Sequence, residues 1–299
     1  MGVPLNRRHR VGIAEPLMQD WGIYRLRIEA AEDLLDEGAR MVDETGRTAL
    51  ARSKLLLAAQ ATRCVHIFES VIALCRIGRG VPAVMLDRAL FEEALDAYWV
   101  AANPVEAPIR ADEHERAVDL GERSVHQRFE HSMPQLTESE EAELAQVMDI
   151  YKGFQRSWTL ASLQDRLDLV KKSWGEAADE RLDYVYEFMQ RQSSVLLHPS
   201  PRGYGLAMGP ERRQINRIGP DALWPDSLGR GCLGFYMVVR VMAQEWEFDR
   251  STAERLFVYA SCLMKQLTDD ELRAVGDGEP CPCDSGRTVE NCHGSGLLA

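Results

Sequence analysis

The chain has 299 residues, of which 45% are hydrophobic and 27% are charged, and its formal net charge is −12 at pH 7. This composition excludes a mainly disordered chain, and the length suits one large helical domain or a domain with an appended segment. The negative charge argues against a protein that coats nucleic acid with its whole surface.

The sequence offers no clear membrane-spanning segment or secretory signal. Its richest apolar stretch, residues 231–243, is shorter than the roughly 18 apolar residues that cross a bilayer, and Arg240 interrupts it. The basic residues 1–10 are followed by no apolar core of signal-peptide length. We therefore expect a cytoplasmic protein without a membrane partner.

Apolar residues recur at three- and four-residue spacing along most of the chain, and almost no stretch alternates as a strand would. The pattern predicts an all-α fold, a multi-helix bundle of about nine helices within residues 1–275. The predicted helices span residues 15–44, 48–77, 82–102, 112–131, 138–154, 160–174, 176–197, 228–247 and 252–275.

Two of these helices begin with a recognisable capping signal. Thr137 with Glu140, and Ser251 with Glu254, match the capping box. In this motif each of the two side chains accepts a hydrogen bond from the backbone N–H of the other residue. We expect both pairs at helix N-termini.

The seven cysteines fall into two groups. Three cluster near the C-terminus, which fits a metal site in a reducing compartment better than a disulfide framework. Four lie in apolar, helix-like segments and are predicted to be buried thiols. These four are Cys64, Cys75, Cys232 and Cys262.

The predicted helix 82–102 contains Arg88 and Glu92, four residues apart, which predicts an ion pair on one helical face. An active-site role for the pair is the alternative. Residues 80–92, together with the later His198-Pro199-Ser200, resemble a family of uncharacterised bacterial helical proteins. The resemblance implies a helical domain and assigns no activity.

Arg191 and His198 lie seven positions apart, two helical turns along one face, at the end of the predicted helix 176–197. Both could address one phosphate: histidine transfers protons near neutral pH, and arginine stabilises charge on a phosphodiester. Alternatively, His198 has only a structural role, because a histidine interacts favourably with the dipole at a helix C-terminus and Pro199 ends the helix.

The Arg-x6-His spacing, with the polar Gln192 after the arginine, resembles the motif of HEPN domains. These are all-helical modules, many of them metal-independent endoribonucleases with sites formed across a dimer, in toxin or phage-defence systems. The resemblance implies a homodimer in which Arg191 holds the scissile phosphate and His198 is the acid or base.

A long segment after this helix, residues 199–220, is basic although residues 101–150 hold twelve acids against four arginines. Long loops in compact domains are often functional, and this one could bind phosphates, including those of RNA. A solvated loop without a special role is the alternative. Its candidate phosphate-binding residues are Arg202, Arg212, Arg213 and Arg217.

The C-terminal tail, residues 276–299, carries the side chains Cys281, Cys283, Cys292 and His293. Three thiolates and one imidazole complete a tetrahedral zinc shell and leave no position for a substrate water. So short a segment needs the metal to fold, because it buries little apolar surface. The alternative is a cysteine-rich tail without metal.

The spacing of these ligands resembles the SEC-C motif, a Cys-x-Cys pair followed after eight residues by Cys-His or Cys-Cys. Ser285 and Gly286 also fit the motif, whereas Asp284 stands where glycine is common. The resemblance implies a small zinc knuckle with structural Zn²⁺ that docks the chain to a protein partner or to ribosomes.

Two functions are consistent with these features. The first is a HEPN-like metal-independent endoribonuclease or toxin or phage-defence effector, which the zinc tail docks to its partner. The alternative is a non-catalytic adaptor that uses the zinc tail to bind a protein or ribosomal partner. Arg191, His198 and the basic segment motivate the first function, and the closed zinc shell and the acidic surface motivate the second.

Overall fold

A computed structural model describes residues 21–45, 51–129, 135–151, 157–175, 182–183, 185–187 and 224–263. These residues are mostly helical and include no strand, which confirms the predicted all-α class. Residues 182–183 and 185–187 are helical as well. The helices with described bounds are α1 (Trp21–Thr45), α2 (Arg52–Arg76), α3 (Gly80–Ala102), α4 (Glu106–Phe129), α5 (Glu138–Ile150), α6 (Leu163–Trp174), α7 (Trp224–Trp246) and α8 (Ser251–Leu263).

Helices α2, α3 and α7 form the centre of the bundle and pack against one another. Helix α1 lies against α2, α7 and α8, and α6 lies against α3. In the main core the rings of Phe68 and Phe235 stack with their centroids 4.7 Å apart. Gly38 on α1 permits this packing, because a Cβ at that position would lie 2.5 Å from the Phe235 ring.

Helices α4 and α5 form a hairpin with a small hydrophobic cluster of its own. Ala117, Leu120, Leu136 and Tyr151 are buried there, and none of them belongs to the main core. Helix α5 itself buries no residue completely. Ion pairs join the two helices: Arg123 Nη1 lies 2.8 Å from Glu140 Oε1, and Arg116 also contacts α5.

The two predicted capping boxes have different outcomes. The box at α5 is confirmed, since Glu140 N–H donates to Thr137 Oγ1 at 3.3 Å and Thr137 N–H donates to Glu140 Oε2 at 2.9 Å. The prediction of a capping box at α8 is wrong. There the Ser251 N–H donates to Asp249 Oδ1 at 2.9 Å, so the aspartate, and not Glu254, satisfies this amide.

Helices α4 and α7 begin four or more residues earlier in the chain than predicted, whereas α3 and α8 begin only one or two residues earlier, at Gly80 and Ser251. Helix α4 begins at Glu106 rather than at residue 112, and α7 begins at Trp224 rather than at residue 228. Each contains a proline, Pro108 and Pro225, within its first turn. A first-turn N–H has no intrahelical acceptor, so proline costs no hydrogen bond there and does not end the helix.

Other boundaries lie inside the predicted ranges, and α2 begins at Arg52 rather than at residue 48. Helix α5 ends at Ile150 rather than at residue 154. Helix α6 begins at Leu163 rather than at residue 160, because Leu160 adopts a φ of 56°, outside the helical region. Ser162 and Asp165 then form a capping box that fixes the start of α6.

The buried thiols are confirmed for Cys64, Cys75 and Cys232, whereas the side chain of Cys262 lies outside the described residues. Within the described ranges, α2 alone has the length and apolar composition of a membrane span. A helix in the core of a soluble protein meets the same criteria, so this finding is weak support for a membrane location.

Candidate functional site

The side chains proposed from the sequence to carry chemistry lie outside the described residues, and their roles stay predictions. The nearest described residues along the chain are 185–187 before the basic segment and Trp224 after it. The residues concerned are Arg191, His198, Arg202, Arg212, Arg213, Arg217, Cys281, Cys283, Cys292 and His293.

The chain is attached to the bundle on both sides of this segment. Before it, Leu182 is buried in the main core, and Asp183 Oδ1 lies 2.6 Å from Lys171 Nζ on α6. After it, Ser227 in the first turns of α7 is fully buried and donates a hydrogen bond to Asp87 on α3. Both attachments flank the segment that carries the predicted catalytic pair.

Asp87, Ser227 and Arg230 form a buried polar group between α3 and α7, which we call the Asp87 cluster. Ser227 Oγ donates to Asp87 Oδ2 at 2.5 Å, and Arg230 Nε lies 3.7 Å from the same oxygen. Asp87 Oδ1 has no hydrogen-bond partner among the described residues. A Cβ on Gly231 would lie 3.3 Å from this oxygen, so α7 approaches α3 closely here.

The electrostatics of this cluster are dominated by burial. Loss of hydration raises the pKa of Asp87 to about 8, although Arg230 and the Ser227 hydroxyl both act in the opposite direction. The contact with Arg230 is longer than a hydrogen bond, so it offsets only part of the rise in pKa that burial causes. Burial therefore favours the protonated form of Asp87.

A second buried group lies between α3 and α6 and consists of Asp96, Trp158 and Arg166. Trp158 Nε1 donates to Asp96 Oδ2 at 2.9 Å, and Arg166 Nη1 donates to Asp96 Oδ1. Both charged side chains are at least nine-tenths buried. Burial raises the pKa of Asp96, and the Arg166 charge and hydrogen bond oppose that rise.

Further carboxylates of α3 are held by arginines nearer the surface. The predicted Arg88–Glu92 pair is confirmed, with Nε 2.8 Å from Oε1. Arg63 on α2 binds Glu93 at 2.9 Å, and burial raises the pKa of Glu93. The part of the chain that the structure describes contains no group of three side chains suited to a metal.

Sequence reasoning missed the buried polar residues of both groups. A signal existed for Arg230, which interrupts an otherwise small and apolar run from residue 227 to 239. Asp87 and Asp96 resembled ordinary exposed helical acids, because the helical pattern does not show which faces of a central helix are covered. Both groups fix helices relative to one another, and neither exposes a free nucleophile.

No curated protein and no solved structure matches the chain. A family model matches residues 54–215, just over half of the 299-residue chain, and this range includes α2 from its third residue and all of α3 to α6. The match confirms the expected helical domain of unknown function. The chain belongs to DUF5677, a family of unknown function.

Proposed function

We propose that the protein is a HEPN-like, metal-independent endoribonuclease that acts as a toxin or phage-defence effector in the cytoplasm. The observation that carries the proposal is the spacing of Arg191 and His198, followed by the basic segment 199–220. The all-helical fold supports it, because HEPN modules are all-helical. The chain is attached to the bundle at Leu182 and at Ser227, on either side of the segment that carries this pair, and this also supports the proposal.

The chemistry assigned to these residues is cleavage of a phosphodiester by the neighbouring ribose hydroxyl. The 2′-oxygen attacks phosphorus and loses its proton, the bond to the 5′-oxygen breaks, and that oxygen gains a proton. His198 would carry one of these protons, and Arg191 would neutralise the charge that builds on the phosphate. The arginines of segment 199–220 would attract the RNA backbone. In a homodimer two such sets would lie at one interface.

An RNA cleavage assay with the purified full-length protein tests this proposal. We expect Arg191→Ala and His198→Ala to lower the cleavage rate by about 100-fold or more, since general acid–base catalysis typically contributes that much. His126→Ala, which changes an exposed histidine on α4, serves as the matched control and keeps the wild-type rate. Equal cleavage by all four proteins would contradict the proposal.

The α4–α5 hairpin favours a second function, a non-catalytic adaptor. The described arginines of the hairpin pair with its own acids: Arg110 binds Glu106 and Glu113, at 3.1 and 3.0 Å, and Arg116 and Arg123 bind acids of α5. The surplus acids of residues 101–150 would suit a partner of opposite charge, and Val125 and Met148 are exposed among them. If the protein is only an adaptor, neither the wild type nor any of the three variants cleaves RNA in the assay.

We further propose that Cys281, Cys283, Cys292 and His293 hold one structural Zn²⁺ in a tail that docks the protein to a protein partner or to ribosomes. The expected result is about one zinc per chain in protein prepared without chelator, because the ligand set closes a tetrahedral shell. Cys283→Ser should lose the metal, and Ser285→Ala, in the same tail, should keep it. Elemental analysis measures both.

Removing the tail after Val275 should leave the helical body folded, because the metal supplies the folding free energy of the tail itself. Circular dichroism at the helical bands compares the truncated and full-length proteins. Absence of zinc from the wild type, or global unfolding of the truncated protein, would contradict this account.

A further inference from the structure

The outer face of α2 is unusually apolar for a helix surface. Among the described helices α2 alone has the composition of a membrane span, yet only 33% of its most apolar window is buried. The exposed face runs from Leu55 to Ile77 at the C-cap, which are 59% and 50% exposed. Its members recur at three- and four-residue spacing, as one face of a helix requires. We call the exposed residues at positions 55, 59, 62, 66, 70, 73 and 77 the α2 stripe.

The α2 stripe is symmetric in residue type about His66. Leu55 and Ile77 lie eleven residues on either side of His66, and Ala59 and Ala73 lie seven residues on either side. When two copies of a helix pack antiparallel about a two-fold axis, residues equally far from the axis on opposite sides face each other. An axis at His66 would set large apolar side chains against each other at both ends. It would set alanine against alanine nearer the centre, where small side chains let helix axes approach to about 8 Å.

The same symmetry extends to the hydroxyl groups of the α2 stripe. Thr62 and Ser70 lie four residues on either side of His66. The Thr62 hydroxyl donates to the Ala58 carbonyl at 2.8 Å, and the Ser70 hydroxyl donates to the His66 carbonyl at 2.9 Å. Because both hydroxyl protons already have an acceptor within the helix, a second copy can cover them without leaving a donor unsatisfied.

Charge beside the α2 stripe follows the same pattern. Arg63 and Glu69 lie three residues on either side of His66. An antiparallel pair would bring Arg63 of each copy opposite Glu69 of the other, whereas a parallel pair would bring like charges together. Arg63 is 67% exposed and its Nε binds Glu93 at 2.9 Å. A guanidinium carries several N–H donors, so Arg63 can bind a second carboxylate as well.

Exposed apolar side chains widen this surface at the start of α2. Arg52 pairs with Asp112 on α4, and Ile109 and Val105, which precede Asp112 by about one and two turns, are 55% and 80% exposed. A stable interface buries roughly 1,000 Å² or more, and the α2 stripe alone is a narrow contact about 33 Å long. The two-fold axis would add these residues of each copy at the end where Ile77 of the other copy lies.

We propose that the α2 stripe is the contact surface for a second copy of this chain, in an antiparallel two-fold dimer with its axis at His66. The resemblance to HEPN domains implies a dimer but no surface, whereas the exposure, spacing and charge of the described residues assign one. The α2 stripe contains neither Arg191 nor His198, and dimerisation is measured without RNA. Failure of the RNA assay would therefore leave this proposal standing.

Sedimentation equilibrium of the full-length protein, at concentrations up to about 100 μM, measures the dimer. We expect the wild type to dimerise, and Ala59→Glu or Ala73→Lys alone to raise the Kd by about 100-fold or more, because each buries an unpaired charge at two places in the interface. The double variant Ala59→Glu/Ala73→Lys should recover a Kd within about tenfold of the wild type. Only the antiparallel register brings these two positions of different copies together.

The matched control is Ala145→Lys, which places a charge at an exposed alanine on α5 and should keep the wild-type Kd. All of these changes are at exposed positions, so helical circular dichroism should be the same for every variant. A monomeric wild type, as expected if another segment of the chain or a different partner covers the α2 stripe, would overturn the proposal. So would a dimer that both single variants leave intact, or a double variant that dimerises no better than either single one.

Discussion

Replacing Asp96 with alanine is expected to lower the free energy of unfolding by about 3–5 kcal/mol, which is typical when one partner of a buried ion pair is removed. The variant leaves the Arg166 guanidinium buried without its counter-charge and deprives Trp158 Nε1 of its acceptor. Native proteins have free energies of unfolding of about 5–15 kcal/mol, so this loss is a large fraction of the total stability. Denaturation by guanidinium chloride, followed by helical circular dichroism, measures the change.

A matched control is available on α1. Glu44 forms an ion pair with Arg40, and both side chains are more than a third exposed. Glu44→Ala should change the free energy of unfolding by less than about 1 kcal/mol, because solvent screens exposed pairs. A cost for Asp96→Ala no greater than that of Glu44→Ala would show that the Asp96 group does not hold α3 and α6 together.

Stability is also expected to fall as pH rises from about 5 to about 8, and Asp87 is the group responsible. Burial raises its folded-state pKa to about 8, whereas an aspartate in an unfolded chain titrates near 3.9. Between these values the unfolded chain loses the proton that the folded protein keeps. The stability that protonated Asp87 contributes is therefore fully present at low pH and is lost as pH approaches 8. Over this range the free energy of unfolding falls by on the order of 1 kcal/mol per pH unit.

Asp87→Asn removes this pH dependence, because an amide does not ionise in this range while it still accepts the Ser227 hydrogen bond. We expect the variant and the wild type to have similar stability near pH 5, and the variant to be the more stable at pH 8. Asp168→Asn, at an exposed aspartate on α6, is the control and should follow the wild type. Parallel stability curves for wild type and Asp87→Asn would contradict the assignment.

Features encoded by neighbouring residues were predictable from the sequence. The all-α class follows from apolar spacing, the start of α5 follows from Thr137 and Glu140, and the Arg88–Glu92 pair follows from a four-residue spacing. Each of these depends on side chains within one or two turns. Local patterns are what a single sequence displays most directly.

Errors arose where one local signal has two meanings. Proline ends a helix in its interior and is tolerated in its first turn, so Pro108 and Pro225 concealed the starts of α4 and α7. Helix α6 begins at Leu163, and its capping box has an aspartate, Asp165, at the third helical position, where the usual motif has glutamate or glutamine. The predicted helix 160–174 includes Leu160, which the structure places outside the helix.

The buried polar groups could not be predicted, because their partners are distant in the chain. Asp87 and Ser227 are 140 residues apart, and Asp96 and Arg166 are 70 apart. Their pairing depends on how α3 packs simultaneously against α6 and α7, which no local pattern records. The same reasoning applies to Arg191 and His198. Their position on one helical face is predicted from local spacing, whereas the residues that would face them across a dimer cannot be predicted in this way.

Cleavage of a defined single-stranded RNA by the full-length protein, measured from about pH 5 to 9 with and without a chelator, tests the proposed function most directly. The account predicts that cleavage persists in the chelator, since the proposed Zn²⁺ would serve only the tail. It also predicts that cleavage depends on the His198 imidazole, so that His198→Ala abolishes the activity together with its pH dependence. Cleavage that requires metal, or a wild-type rate in His198→Ala, would contradict it.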